Sequence, residues 1–290
     1  MSPNLRAFLM MMNEKDLLVL AKEYGFTEAR LLPVSLFKET PLEAESLFIA
    51  FLPYSWSKKA PFGQAAVSGY YPTSNFGHAQ LRKLKEDLLE HGVFAEENKT
   101  VFEKEAASYC GGYFGKNTLY FHEKFGSALF IATLFVGVAA ENIEIKKAAL
   151  SHLCENCSLC EKVCPVSALP KRDMKADCMR AKMYKKPMPA DAMENLYQLF
   201  GCELCQRVCP MNAMVSEKEQ YAFSIDTLFL DRKPLEELVG KNYARKINVL
   251  QQLIAYAARE KYSGCYDAVR ALESEPLLRD VCQYYFSRIL

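Results

Sequence analysis

The chain has little of several things that would each have pointed to a function. Its formal net charge is only +1, with 36 Lys and Arg against 35 Asp and Glu. No global field calls for nucleic acid or membrane, so any such contact needs a local patch. It has no long hydrophobic run. The longest, ALFIATLFVGVAA at residues 128–140, is shorter than the roughly 20 residues of a membrane-spanning helix. Its β-branched and aromatic content suits a buried strand instead. The amino-terminal MSPNLRAFLMMMNEKDLL breaks a short apolar run with charges and carries no small-residue cleavage site. No signal peptide is read there, no membrane partner is expected, and a cytoplasmic location is. Low-complexity stretches and long linkers are missing, and tryptophan occurs once, at Trp56.

Cysteine is abundant. There are eleven, an odd number, and eight of them fall between residues 154 and 209. In a reducing compartment this distribution argues for metal ligation rather than disulfides. Cys154, Cys157, Cys160 and Cys164 form C-x2-C-x2-C-x3-C followed by Pro165, the bacterial ferredoxin run for a [4Fe–4S] cluster. In two-cluster proteins the cysteine before the proline serves the other cube. Cys202, Cys205 and Cys209 form C-x2-C-x3-C followed by Pro210, and Cys178 lies between the two motifs. The count closes at eight ligands. One cluster takes Cys154, Cys157, Cys160 and Cys209. The other takes Cys164, Cys178, Cys202 and Cys205, with Cys178 assigned from the count. Structural zinc is the competing reading, since it also uses C-x2-C pairs. Cys110, Cys265 and Cys282 have no partner spacing and read as buried thiols.

Around this segment the pattern predicts an α+β protein. Residues 1–145 alternate helix and strand signals as an α/β domain. A helix is expected from Glu14 to Tyr24, stopping at Gly25. Strands are expected at Ala29–Leu32, Leu47–Leu52 and about 128–136, a loop over Pro53–Pro61, and an amphipathic helix over His78–His91 with Leu81, Leu84, Leu88 and Leu89 inward. Residues 146–215 form the ferredoxin-like double-cluster domain. Residues 216–290 carry helical repeats and read as a short C-terminal helical domain.

The stretch CGGYFGKNTL at residues 110–119 suggests a phosphate cradle. A nucleotide P-loop would need Gly at 110 and Ser or Thr at 117, where this chain has Cys and Asn. The GKNTL loop with the following Gly126-Ser127, the order of the eight cysteines and the CELCQRVCP motif at residues 202–210 together resemble the epoxyqueuosine reductase family. The resemblance spans roughly residues 25–255 and is most specific in the cysteine segment. Tyr71 and His78 fall where relatives carry a Tyr and a Tyr-His pair, with Gly77 in place of the second Tyr.

The resemblance implies two [4Fe–4S] clusters that reduce a cobalamin held by the N-terminal domain. It implies reduction of epoxyqueuosine in tRNA to queuosine, with an acid protonating the leaving oxygen. Cofactor-binding residues would be Tyr71, His78, Gly112, Gly115, Lys116, Asn117, Thr118, Gly126 and Ser127. Gly112 and Gly115 would let backbone approach a large planar ligand. No D-x-H-x-x-G motif ligates cobalt from below; His122 comes nearest, with Tyr120 in place of the Asp. The proton donor aligns with Glu97, although the Asp-Pro segment of relatives is altered here. A carboxyl in that role is expected to be buried. Seven Lys and Arg between residues 171 and 186, with Lys241, Arg245 and Lys246, form a basic stripe for tRNA or for an acidic electron donor such as flavodoxin or ferredoxin. Two other readings stand beside this one. One is a corrinoid iron–sulfur reductase acting on a small molecule or a partner corrinoid protein. The other is a ferredoxin-like electron-transfer protein without cobalamin.

Overall fold

The computed structural model describes residues 12–141, 145–169, 177–218 and 221–290. The chain divides into two compact units, Met1–Tyr54 with Phe76–Glu155, and Ser55–Asn75 with Asn156–Leu290.

The first unit is built on a four-stranded antiparallel sheet. Its order is Glu28–Pro33, Ser46–Pro53, Leu129–Val136, Ala95–Glu97. The two central strands read SLFIAFLP and LFIATLFV and are buried along almost their whole length. Burial on both faces gives a continuous apolar run rather than an alternating one, which is why both were legible as strands. The helix Glu14–Glu23 starts on a capping box. The Asn13 side chain accepts from the Asp16 amide at 3.1 Å, and the Asp16 carboxylate accepts from the Asn13 amide at 3.4 Å. It ends at Tyr24, and Gly25 turns the chain at φ +87°.

The helix expected from His78 begins eight residues earlier and runs Tyr70–Glu90, through the boundary of the two units. Pro72 and Gly77 both lie inside it. Pro72 lies in the first turn, where a missing amide donor costs nothing. Gly77 packs flush on the sheet, because a Cβ there would stand 2.3 Å from Phe130 Cε1. Leu81, Leu84 and Leu88 are buried as expected, whereas Leu89 is 48% exposed. It follows Leu88 by about 100° around the axis and leaves the inward stripe.

In the second unit the cysteine segment and the C-terminal helices share one hydrophobic core. Met179, Met183, Leu199 and Phe200 pack with Leu250, Leu253, Ile254 and Tyr285. The helix Lys246–Arg259 is its axis, with every residue from Asn248 to Ala258 buried. Helices Tyr266–Ala271 and Arg279–Ile289 follow, and Leu277 lies between them at the surface. The segment read as a loop over Pro53–Pro61 contains a short strand, Trp56–Ser57, paired in parallel with Glu217–Lys218. Among the described residues no helix is long and apolar enough to cross a membrane.

Candidate functional site

The cysteine motifs fold into short turns because their spacing leaves no room for more. Helical turns Leu159–Val163 and Leu204–Arg207, which carry Cys160 and Cys205, pack against one another. The Cys164 sulfur accepts from the Ala168 amide at 3.2 Å, the kind of contact that tunes cluster thiolates. Burial pushes the Cys202 thiol up to about 12, opposed by the Leu204 amide and reinforced by Cys178 and Cys164. Burial also pushes Cys205 up, with Cys202, Cys178, Cys160 and Cys164 all close enough to add. Cys202 and Cys205 therefore lie close to Cys164 and Cys178, and Cys205 is also close to Cys160, which the sequence assigned to the other cluster. A buried group of this kind becomes thiolate only against a positive metal centre. Among the described residues no three His, Cys, Asp or Glu side chains stand in geometry to hold a single ion. A cube spreads its four thiolates wider than one tetrahedral ion does, so the gathering matters more to this donor set than closure on a point.

A buried ionic network braces the Leu204–Arg207 turn, and sequence reasoning missed it. Glu203 is 2% exposed and accepts from Ser68 Oγ at 2.6 Å. Arg207 donates to Glu203 at 3.2 Å, to the Ser57 carbonyl at 2.7 Å and to Glu217 at 2.6 Å. Its guanidinium lies 5.6 Å from the Trp56 ring centre. The partners lie 10 to 150 residues from Arg207 in sequence, apart from Glu203 four residues before it. Only the CELCQRVCP motif itself hinted at them.

The strained backbone beside this turn is Phe200. It is fully buried, carries φ +70°, and lies inside a turn closed by the Gly201 amide donating to the Leu199 carbonyl at 3.0 Å. A non-glycine residue held there costs about 1–3 kcal/mol.

In the first unit, CGGYFGKNTL is a hairpin. Tyr113–Phe114 pairs antiparallel with Tyr120–Phe121 and parallel with Ala149–Leu150. Gly115, Lys116, Asn117 and Thr118 make its turn, with Thr118 at φ +63°. At Gly112 and Gly115 the atoms a side chain would meet belong to the hairpin itself. A Cβ on Gly112 would lie 2.3 Å from the Phe121 carbonyl oxygen, and one on Gly115 2.6 Å from Asn117 Oδ1. Lys116 donates to the Glu155 carbonyl at 3.4 Å. Asn117 is 1% exposed; its Oδ1 accepts from the Leu119 amide at 3.4 Å and its Nδ2 has no partner among the described residues. The Tyr120 hydroxyl is also buried without a partner among the described residues. Two orphaned polar groups in one hairpin fit a ligand rich in amides.

Gly126, at φ +67°, exchanges both backbone hydrogen bonds with His122 at 2.9 Å, and Ser127 is buried beyond it. His122 is a core histidine. Its Nδ1 accepts from the Lys124 amide at 3.2 Å, its Nε2 faces Glu28 at 3.4 Å, and Phe125 stacks on it at 4.7 Å.

His78 and Glu97 come together at a cavity of about 180 Å³ that Arg82, Lys85, Asn98 and Glu103 also line. Burial, then Arg82, pushes the His78 imidazole down, and its ring meets Phe130 edge-on at 4.9 Å. The burial expected of Glu97 is absent. Its side chain is 54% exposed on the edge strand Ala95–Glu97, with Lys85 Nζ at 3.5 Å. The strand is too short to carry Glu97 inward. Asn98, missed in the sequence, shapes the turn that follows by bonding Val101 at 2.7 Å and Thr133 at 2.9 Å.

Tyr71, expected beside His78 at the cofactor, is buried instead in the core of the second unit. Its hydroxyl accepts from Arg180 Nε at 3.1 Å and its ring meets Tyr243 at 4.7 Å. It lies in the first turn of the long helix, two turns before His78, so the two side chains serve different units. Tyr184 approaches the same Tyr243 at 6.5 Å. These contacts bring the basic segment after Cys178 beside the turn bearing Lys241, Arg245 and Lys246. Lys185, Lys186 and those three are exposed, whereas Lys182 is engaged by Asp191. Lys171, Arg172 and Lys175 lie outside the described residues.

A family model described as a 4Fe-4S double cluster binding domain matches residues 153–212, a range that holds all eight cysteines of the two motifs and Cys178. The solved structure of epoxyqueuosine reductase from Streptococcus thermophilus is similar over 96% of this chain and 90% of that one, with TM-score 0.74 and 14% identity. A second, of epoxyqueuosine reductase with a tRNA-Tyr epoxyqueuosine-modified stem loop, is similar over 95% and 89%, with TM-score 0.75 and 18% identity.

The chain has the epoxyqueuosine reductase fold.

The mixed α/β region, the cluster segment and the helical C-terminal region all lie within the epoxyqueuosine reductase likeness. In sequence, the epoxyqueuosine reductase of Pseudomonas aeruginosa is 33% identical over 115 residues, which is 36% of this chain. The match spans 31% of that protein's length.

Proposed function

We propose that the chain is a reductase carrying two [4Fe–4S] clusters and cobalamin, and that it reduces epoxyqueuosine in tRNA to queuosine. The observation that carries this reading is the packing of the cysteine turns Leu159–Val163 and Leu204–Arg207, inside a segment matched by a double-cluster family model and within a fold shared with epoxyqueuosine reductases. Cys154, Cys157, Cys160 and Cys209 would hold the other cluster. Cobalamin, when bound, supplies a strongly reducing cobalt centre fed by the clusters.

The chain's own residues have separate tasks. Asn117 Nδ2 and Tyr120 Oη offer hydrogen bonds to the amide rim of a corrin, and Lys116, Thr118, Gly126 and Ser127 frame that hairpin. His78 stands at the cavity where Glu97 would release its proton to the oxygen freed as the epoxide opens. Lys85 Nζ stands 3.5 Å from that carboxyl group. One solved relative is described with a tRNA stem loop. Here Lys185, Lys186, Lys241, Arg245 and Lys246 are the exposed cations that would meet phosphates. A tRNA substrate implies a cytoplasmic site of action and a small electron donor such as flavodoxin or ferredoxin.

Anaerobic purification with iron analysis and absorption spectra after added cobalamin tests the cofactors. Nucleosides from the tRNA of a deletion strain test the substrate. Accumulated epoxyqueuosine is expected. Zinc in place of iron, or no corrinoid bound, overturns the reading. The half-exposed Glu97 favours one alternative, a corrinoid reductase acting on a small molecule or a partner corrinoid protein. Corrinoid binding with unchanged tRNA nucleosides would select it.

A further inference from the structure

Two consecutive glutamines sit where an apolar helix has no need of them. Gln251 and Gln252 are both 0% exposed on the helix Lys246–Arg259, among Leu250, Leu253, Ile254 and Ala255. Burying an amide costs free energy unless it is hydrogen-bonded, and Leu or Met would fill the same volume without that cost. Neither amide is fully satisfied: among the described residues Gln251 Oε1 and Gln252 Nε2 have no partner. Simple stability does not account for the pair.

What each does make is one hydrogen bond to the backbone of a segment bearing a ligand cysteine. Gln251 Nε2 donates to the Met183 carbonyl at 2.8 Å, at the end of the turn Met179–Lys182 that Cys178 opens. Gln252 Oε1 accepts from the Phe200 amide at 2.7 Å. Phe200 is the positive-φ residue two positions before Cys202, in the turn closed from Gly201 to Leu199. That form of γ-turn is the rare and strained one. It persists only where its surroundings over-determine it. Three groups do so here. Gln252 holds the Phe200 amide, the Tyr184 hydroxyl donates to the Phe200 carbonyl at 3.3 Å, and Ser68 fills the space a Cβ on Gly201 would need, at 2.7 Å.

We propose that Gln252 is a positioning residue for the cluster held by Cys164, Cys178, Cys202 and Cys205. It locks the strained Phe200 turn that delivers Cys202, while Gln251 steadies the segment leaving Cys178. The inference rests on the two-cluster reading above. The helix Lys246–Arg259 then belongs to the metal site although it carries no ligand.

The test compares Gln252→Met, which keeps the volume and removes the acceptor, with Gln252→Glu, which keeps an acceptor oxygen. Leu253→Ala on the same helix is the control for plain loss of packing. Iron per chain and low-temperature EPR of the anaerobically reduced full chain are read for each. Gln252→Met is expected to lose up to half its iron, or to keep it with one of two cluster signals altered. Gln252→Glu should restore the wild-type signals. Leu253→Ala should lower Tm and leave iron and signals unchanged. Gln252→Met with wild-type iron and both signals intact overturns the role. If Gln252→Met does not fold, Tyr184→Phe decides: an altered signal from the same cluster supports the lock, and unaltered signals sink it. An iron-free wild-type chain would instead sink the two-cluster reading, a separate result.

Discussion

Replacing Arg207 with methionine removes the cation at the centre of the network behind the Cys202–Cys209 turn, and the structure allows its cost to be worked out. Glu203 is 2% exposed and its charged partner is Arg207 at 3.2 Å. Removing one member of a buried pair costs about 3–5 kcal/mol, because the other is left uncompensated. Arg207 retains 18% side-chain exposure, so water can reach part of the gap and the lower end, about 3 kcal/mol, applies. The Glu217 leg is different. That carboxylate is 55% exposed, and a surface pair of this kind is worth about 0–1 kcal/mol. Arg207→Met should therefore destabilise by about 3 kcal/mol and Glu217→Gln by less than about 1. For a unit of this size about 3 kcal/mol lowers Tm by roughly 6–12 °C. The decisive arm is the double variant Glu203→Gln with Arg207→Met. If the penalty is a stranded charge, neutralising Glu203 returns part of it and the double variant is the more stable. Anaerobic thermal melts followed by far-UV circular dichroism measure all three. An Arg207→Met chain within about 1 kcal/mol of wild type, or a double variant no more stable than the single one, refutes the reasoning.

Gly112→Ala should cost at least about 2 kcal/mol, since φ +77° disfavours any side chain and the Phe121 carbonyl at 2.3 Å from the new Cβ cannot yield cheaply. Urea unfolding measures that cost, and the cobalamin difference spectrum should weaken with it. Glu97→Gln should lower turnover by about 10²-fold or more with iron and corrinoid content unchanged, and single-turnover assays would expose a wild-type rate if Glu97 is only a surface partner of Lys85. Burial holds the His122 imidazole below its ordinary 6.5 despite the facing Glu28. A group kept neutral in the fold takes up protons more readily when unfolded. Its contribution to stability is therefore full above about pH 6.5 and fades as the pH falls below it. His122→Gln should flatten the loss of Tm between neutral and acidic pH, and His78, shifted the same way, should leave some slope behind.

The sequence was most informative where one local pattern sets the outcome. The strands Ser46–Pro53 and Leu129–Val136 were visible because double-sided burial writes an unbroken apolar run. The cysteine spacing was visible because cluster ligation allows few alternatives. It failed where distant residues decide. Nothing near Tyr71 announces that Arg180 and Tyr243 will enclose it. The glycines of CGGYFGKNTL signalled close approach correctly, but the approaching atoms belong to Asn117, Tyr120 and Phe121 of the same hairpin. Glu97 fell at the aligned position without the expected burial, because a three-residue edge strand holds it at the rim. Nothing in the residues around Gln251 and Gln252 announces their burial. They are buried because the helix is surrounded on all sides.

The meeting of Gly77 with Phe130 also constrains how this chain can change. Helix and strand are fitted as a stud into a socket: the ring of Phe130 occupies the volume a side chain at 77 would take, and Leu52 Cδ1 closes the rest at 2.9 Å. Bulk can sit on the helix or on the sheet at this level, not on both. A homologue that restores tyrosine at 77 must give up size at 130 and 52 together, so the three positions should vary as a set across an alignment. His78 is the next residue along, and where its imidazole points is thereby inherited from a ring on the opposite layer.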